Sequence, residues 1–322
     1  MKSTVSAGLL GLLSLVCCVG GAAEPAGGIT YIPLQFRTIS GVRPFIDVEM
    51  GGKKFLMKVH SGAELTMMTI HAHAQAAGVT GMKHVGSYGI SKPGEVSQLG
   101  MDAGVLPEMT VAGKTLRNLP ISVFEIPQDP PVDGMLGSKW LKALRAIVDY
   151  DKLRFGLPAT PEDNVLEDQK LLGEGYIAHR FTFNDANGSY QIDGEIDGVK
   201  TPMTLVTVAE NVVDIELARE AGIPLGPVFD TYAGPGGAVG DAYLAKRMVR
   251  LVVDGQTVVS DRPQIYDTYA YHGEPRKAAR DNAHSVRLGA DFLLANQAVI
   301  DFGTNTLFLR PLSVTDPAAA GK

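Results

Sequence analysis

The sequence predicts an all-β protein with a few short helices, folded as two similar lobes. Three observations predict it. Short segments alternate apolar and polar residues with a period of two, as half-buried strands do. Turn dipeptides separate them: Gly51-Gly52, Ala112-Gly113, Asp197-Gly198 and Asp254-Gly255. The same elements then recur, in the same order, in the second half of the chain.

The recurrence is visible residue by residue. "FIDVEMGGKKFLMKVHSGAE" starts at Phe45 and "QIDGEIDGVKTPMTLVTVAE" at Gln191. Ile46, Asp47, Glu49, Gly52, Lys54, Ala63 and Glu64 are repeated as Ile192, Asp193, Glu195, Gly198, Lys200, Ala209 and Glu210, always 146 residues on. Near the end of each half stand "LGSKWLKALRAIVDYDKLRFGL" and "LGADFLLANQAVIDFGTNTLFL". Leu136, Gly137, Leu141, Ala146 and Asp149 return there as Leu288, Gly289, Leu293, Ala298 and Asp301, now 152 residues on.

Each half then reads as follows. Ile46, Val48 and Met50 form one strand, the glycine turn reverses it, and Phe55, Met57 and Val59 form the next. Ile192, Ile196, Met203 and Leu205 repeat this pair around Asp197-Gly198. A short helix is expected in "MMTIHAHAQAAGV" and in "VDIELAREAGIPL", each stopping near a glycine. Glycine-rich segments follow, "GSYGISKPG" and "YAGPGGAVG", then a hairpin, "EMTVAGKTLRNLPISVFE" and "VRLVVDGQTVVSDRPQIYD". After each Leu-Gly come a short helix and a final strand, "AIVDY" and "AVIDF".

The chain divides accordingly. Residues 1–23 have the layout of a secretory signal peptide, with Lys2 before an apolar run and small residues up to Ala23. Residues 30–157 make the first lobe, 158–175 a polar surface linker, 176–312 the second lobe and 313–322 a disordered tail. Cleavage would remove Cys17 and Cys18, leaving no thiol and no stable membrane span. A periplasmic or secreted protein is expected. In 322 residues, 45% apolar and 20% charged with a net charge of −6, no long basic run suggests nucleic acid as a partner.

In this order the motifs resemble bacterial, retropepsin-like aspartyl proteases with two tandem pepsin-like lobes in one chain. The resemblance covers Ile32 to Leu309. It implies that each lobe has a strand hairpin leading to an Asp-Thr/Ser-Gly-Ala loop, a glycine-rich flap, and a Leu-Gly turn before a helix. "DGMLG" at Asp133 to Gly137 fits that last turn well, and "VRLG" at Val286 to Gly289 fits it at its Leu-Gly end. Such enzymes place two carboxylates face to face. Like charges so close cannot both ionise, so one activates water while the other donates a proton.

Aligned this way, Ser61, Gly62 and Ala63 take the Thr/Ser-Gly-Ala positions, and His60 stands where the first aspartate belongs. In the second lobe Val206 takes the aspartate position, Thr207 keeps its type and Val208 replaces the glycine. The internal repeat gives the same pairing, since His60 lies 146 residues before Val206. Both catalytic acids are therefore absent. The flap resemblance marks Tyr88, Gly89, Gly234, Gly236 and Gly237 as binding residues.

Other chemistries fit less well. His71 and His73 are two apart on an expected helix, so with His84 they do not make a metal site. No cofactor is expected. The "HSGAE" stretch is not a Gly-x-Ser-x-Gly elbow, and no Lys-bearing phosphate loop follows "AGPGGAVG". Asp47 and Asp193 read as solvated, Asp133 as a turn residue, and the repeated Asp149 and Asp301 as structural. The expectation is an exported, monomeric pseudoprotease that binds a peptide or protein segment in the cleft. The alternatives are a hydrolase pairing His60 with a displaced acid such as Asp133, or a structural protein whose cleft is closed.

Overall fold

A computed structural model describes residues 28–38, 41–86, 90–92, 95–96, 100–125, 132–234, 238–276 and 285–312. The expected signal peptide (1–23) and tail (313–322) lie outside the described residues. In the strand Val42–Met50, Ile46, Val48 and Met50 are buried while Asp47 and Glu49 are exposed. Phe55, Met57 and Val59 are buried in the partner strand Lys53–His60. Each such side chain contributes about 1.5–3 kcal/mol by leaving water. The turn between the strands has positive φ at Gly51 and Gly52, and its repeat has it at Asp197 and Gly198. Both hairpins thus use the mirror-image turn that matches strand twist.

Strands of the first half form an eight-stranded sheet, with the pair Val42–Met50 and Lys53–His60 next to Gly134–Gly137. Strands of the second half form their own sheet, with Ser189–Ile196 and Val199–Leu205 next to Val286–Leu288. One apolar core runs through both halves, from Met57 and Val59 to Met203 and Leu205.

A third sheet of six strands takes members from both halves. At its centre Ile147–Asp149 pairs antiparallel with Val299–Asp301, so that Val148 lies opposite Ile300, its own repeat. The hydrogen bonds Tyr150 N to Ala298 O (2.8 Å) and Phe302 N to Ala146 O (3.0 Å) continue the pairing symmetrically. An approximate two-fold axis passes between these strands. The repeated aspartates anchor them. Buried Asp149 accepts from Arg154 Nε and Lys152 N, both at 2.8 Å. Buried Asp301 accepts from Asn164 Nδ2 at 2.9 Å and Gly303 N at 2.7 Å.

Asn164 comes from the segment read as a surface connection, and here the structure differs from that reading. Residues Pro161–Gly173 form a helix whose Asn164 and Leu171 are buried. Its start is encoded by Thr160, whose N–H donates to Asp163 at 2.7 Å, and by Pro161 in the first turn. The two short helices expected after the hairpins also begin later than the sequence suggests, as His71–Ala76 and Ile215–Glu220. Strands occupy the earlier residues, Met67–Thr69 and Val212–Asp214, because each pairs in parallel with the far strand of its lobe. The second-lobe hairpin is shorter than its counterpart, Leu251–Val253 with Gln256–Thr257, against Met101–Val111 with Lys114–Phe124. No helix among the described residues is long and apolar enough to cross a membrane.

Candidate functional site

The two loops that carry the resemblance meet at the lobe interface. Four hydrogen bonds join them reciprocally. Ser61 N–H donates to Thr207 Oγ1 (2.8 Å), which donates to Val59 O (2.8 Å). Thr207 N–H donates to Ser61 Oγ (2.9 Å), which donates to Leu205 O (3.1 Å). Val59 and Leu205 are themselves repeats, so the clasp obeys the two-fold. All its groups are buried. Tyr150 adds a bond from its hydroxyl to Thr207 O at 2.8 Å.

His60 and Val206 flank this clasp at equivalent points. A Cβ at Gly62 would stand 2.9 Å from Val206 Cγ1 and 3.1 Å from His60 Cε1, so glycine leaves the room that brings the two together. Val206, Val208 and Ala209 form a small buried apolar cluster. Ala209 takes φ 65°, a strained value for a residue with a side chain. It donates its N–H to Val42 O at 2.8 Å, and Gly41 packs so closely on it that a Cβ there would meet Ala209 C at 2.6 Å. The valine and alanine of the second loop are thus fitted into the interface.

The half-buried His60 imidazole accepts from Gly62 N–H at Nδ1, 3.1 Å, so its remaining proton is on Nε2. Burial, then the positive charges of Lys58, Arg43 and Arg287, hold its pKa well below the ordinary value. It is a neutral imidazole at neutral pH. These surroundings are the reverse of a carboxylate dyad.

Sequence reasoning missed the three cations. Along Lys53–His60 the core face carries Phe55, Met57 and Val59, and alternation puts Lys58 beside His60 on the opposite face. A lysine there reads as solvated, yet Lys58 is only 4% exposed. Burial, then Arg43, pulls its pKa down to about 8. Arg43 belongs to the paired strand, two residues from Phe45, which lies opposite Lys58. Arg287 comes from the other lobe, on Val286–Leu288, where it lies opposite Thr204. It occupies the place that Met135 holds in the first lobe, 152 residues earlier. Among the carboxylates, Glu210 interacts with both arginines, and burial raises its pKa.

Asp133 is not at the site. Its Oδ2 accepts from Leu56 N at 2.8 Å, and His73 Nε2 lies 3.5 Å from its carboxylate. Gly137 is the residue beside His60 in the ladder, and Asp133 lies four residues before it, just ahead of that strand. At 3.3 Å per residue this is about 13 Å away. Of the flap residues, Tyr88, Gly89, Gly236 and Gly237 lie outside the described residues. Gly234 closes the hairpin of Leu225–Ala233 and Val239–Ala245 through a bond to Ala238 O at 2.8 Å. A Cβ there would come within 2.0 Å of Tyr271 O, so packing alone accounts for this glycine.

His71 and His73 point to separate carboxylates, as their spacing implies. His71 Nδ1 pairs with Glu125 and its Nε2 with Asp102 at 2.8 Å, while His84 Nδ1 approaches Asp102 at 3.3 Å. No group of three or more metal-ligating side chains suited to an ion occurs among the described residues. The hydrogen bonds that His71 donates to Asp102 and Glu125 raise its pKa. Both carboxylates are lowered in turn, Asp102 by its side-chain bond from His71 and Glu125 first by the His71 backbone N–H. The imidazolium contribution is fully present below the unfolded histidine value and is lost as pH rises through the raised folded value. The carboxylate contribution is present above the unfolded acid values and is lost as pH falls through the lowered folded ones. His71→Gln should therefore cost most stability between about pH 4.5 and about pH 6.5. Since His71 is 36% exposed, screening keeps the effect small. Thermal melts of both proteins across pH check the shape of this difference.

No family model matches the chain, and no curated sequence matches it either. Solved structures do. An aspartic proteinase from Irpex lacteus aligns with a TM-score of 0.52 at 12% identity, covering 90% of this chain and 99% of that one. Conglutin gamma, a basic 7S globulin from lupine seeds, aligns at 0.47 with 12% identity over 89% and 96% of the two chains. Basic 7S globulin from soybean aligns at 0.48 with 9% identity, again over 89% and 96%. The likeness to the Irpex lacteus enzyme establishes the fold. It is the all-β pepsin-like fold of the aspartic proteinases. Within that fold the first loop presents a neutral histidine and the second a valine.

Proposed function

We propose that this chain is a non-hydrolytic relative of the bacterial, retropepsin-like aspartyl proteases, and that it binds an extended peptide or protein segment in the interlobe cleft. The observation that carries this is the pairing of an intact Ser61–Thr207 clasp with His60 and Val206 in place of two acids. Peptide hydrolysis on this fold needs one carboxylate to take a proton from water and another to protonate the scissile carbonyl. Val206 does neither. His60 could accept a proton, but it is surrounded by cations that disfavour the imidazolium it would become. Asp133 is too distant to partner it.

A peptide in such a cleft would be held by main-chain hydrogen bonds, as an added strand is. The leader-like residues 1–23 support export to the periplasm or beyond the cell. One chain supplies both walls of the cleft, so a monomer suffices. The buried cluster of Val206, Val208 and Ala209 favours one second reading, a structural protein whose cleft is filled by its own side chains. Incubation with a random peptide library separates the readings. Peptides recovered intact with the protein support binding, cleaved peptides contradict it, and no recovery at all favours the closed cleft.

A further inference from the structure

The place where acids would stand is lined by bases. Lys58 and Arg43 come from one lobe and Arg287 from the other, and all three act on His60 electrostatically. Lys58 is nine-tenths buried or more, yet its ammonium makes no hydrogen bond or ion pair with any described residue. Arg287 Nε is buried and has no hydrogen-bond partner. Glu210 acts on both arginines and Arg287 hydrogen-bonds Tyr266, so the charge left without a partner is that of the Lys58 ammonium. Buried charge without a partner costs several kcal/mol per ion. An anion bound beside Lys58 would offset that cost.

We infer that the interlobe cleft recognises an oxyanion, a carboxylate or a phosphoryl group carried by a bound peptide, between Lys58 and Arg43 of the first lobe and Arg287 of the second. This rests on the reading of the cleft as a retained peptide-binding site. The guanidinium of Arg287 offers a planar fork suited to such groups, and the ammonium of Lys58 a point charge. Neutral His60, with its proton on Nε2, adds an uncharged donor. The charges come from both lobes, so the anion would bridge them where the dyad of a protease bridges them through acids. The net charge of the whole chain is −6, so this is a local basic site on an acidic protein.

The test uses acetyl-tetraalanine as its free acid, as its amide, and as an amide carrying phosphoserine, with inorganic phosphate as a fourth probe. Binding is followed by calorimetry and by the NMR signal of Lys58 after isotopic methylation. The acid or the phosphopeptide should bind at least about tenfold more tightly than the amide, since one charge-assisted bond is worth that factor. The better of the two identifies the source of the oxyanion. Lys58→Met and Arg287→Gln should each remove the preference, while Arg287→Lys keeps part of it. Without ligand, Lys58→Met should raise the melting temperature, because it relieves an unpaired buried charge; a purely structural lysine would give the opposite. Equal binding of all three peptides overturns the inference and leaves the peptide-binding reading standing. Phosphate that shifts Lys58 through Arg287, with no peptide bound, keeps the anion site and removes the peptide reading. No response to any probe overturns both.

Discussion

Thr207→Val should destabilise the protein by about 2–6 kcal/mol. Valine has the shape of threonine but leaves the Ser61 N–H and the Val59 carbonyl buried without partners, at about 1–3 kcal/mol each. Ser61→Ala should act the same way through Thr207 N–H and the Leu205 carbonyl. The four bonds form one reciprocal network, so the double variant should lose clearly less than the sum of the singles. Urea unfolding of the three variants measures this. Additive losses would mean that the two loops do not clasp each other.

Gly137→Ala and Gly289→Ala should each cost about 3 kcal/mol or more, at or beyond the upper end of ordinary overpacking. A Cβ on Gly137 would lie 2.2 Å from Leu65 O and 2.7 Å from Ala63 O. On Gly289 it would lie 2.3 Å from Ala209 O and 2.4 Å from Glu210 O. Backbone atoms cannot swing aside as a flexible side chain can, so the loop bearing His60 or Val206 must move. The two glycines occupy the same place in their lobes, and the losses should be similar. Thermal or urea unfolding checks both, and a neutral substitution at either would show that the Leu-Gly turn does not brace its loop.

Those glycines show what the sequence made legible. Leu136-Gly137 and Leu288-Gly289 stood out because they repeat, and the repeat exists because both lobes solve one packing problem. The constant 146-residue spacing likewise placed His60 against Val206 and Ser61 against Thr207. Symmetry within one chain served where no family model matched. What breaks symmetry was hidden. Lys58 repeats as Thr204 and Arg287 as Met135, so neither belongs to a recurring motif. Lys58 also occupies a strand face that alternation assigns to solvent, yet it is buried. The helix Pro161–Gly173 was masked by its polar composition, because its anchor to the core includes the buried amide of Asn164, bonded to Asp301. Hydrophobic periodicity cannot report a polar anchor.

The electrostatics at the interface join these observations. A protease of this fold keeps one proton between two acids. Here the clasp that would align those acids survives, while burial and three cations keep a histidine neutral beside a valine.

The most direct test is to incubate the purified protein with an unfolded protein substrate from acid to neutral pH and to search for new termini by mass spectrometry. No cleavage at any pH, in the native protein and in His60→Ala alike, is the predicted result. Cleavage by the native protein that His60→Ala abolishes would contradict it.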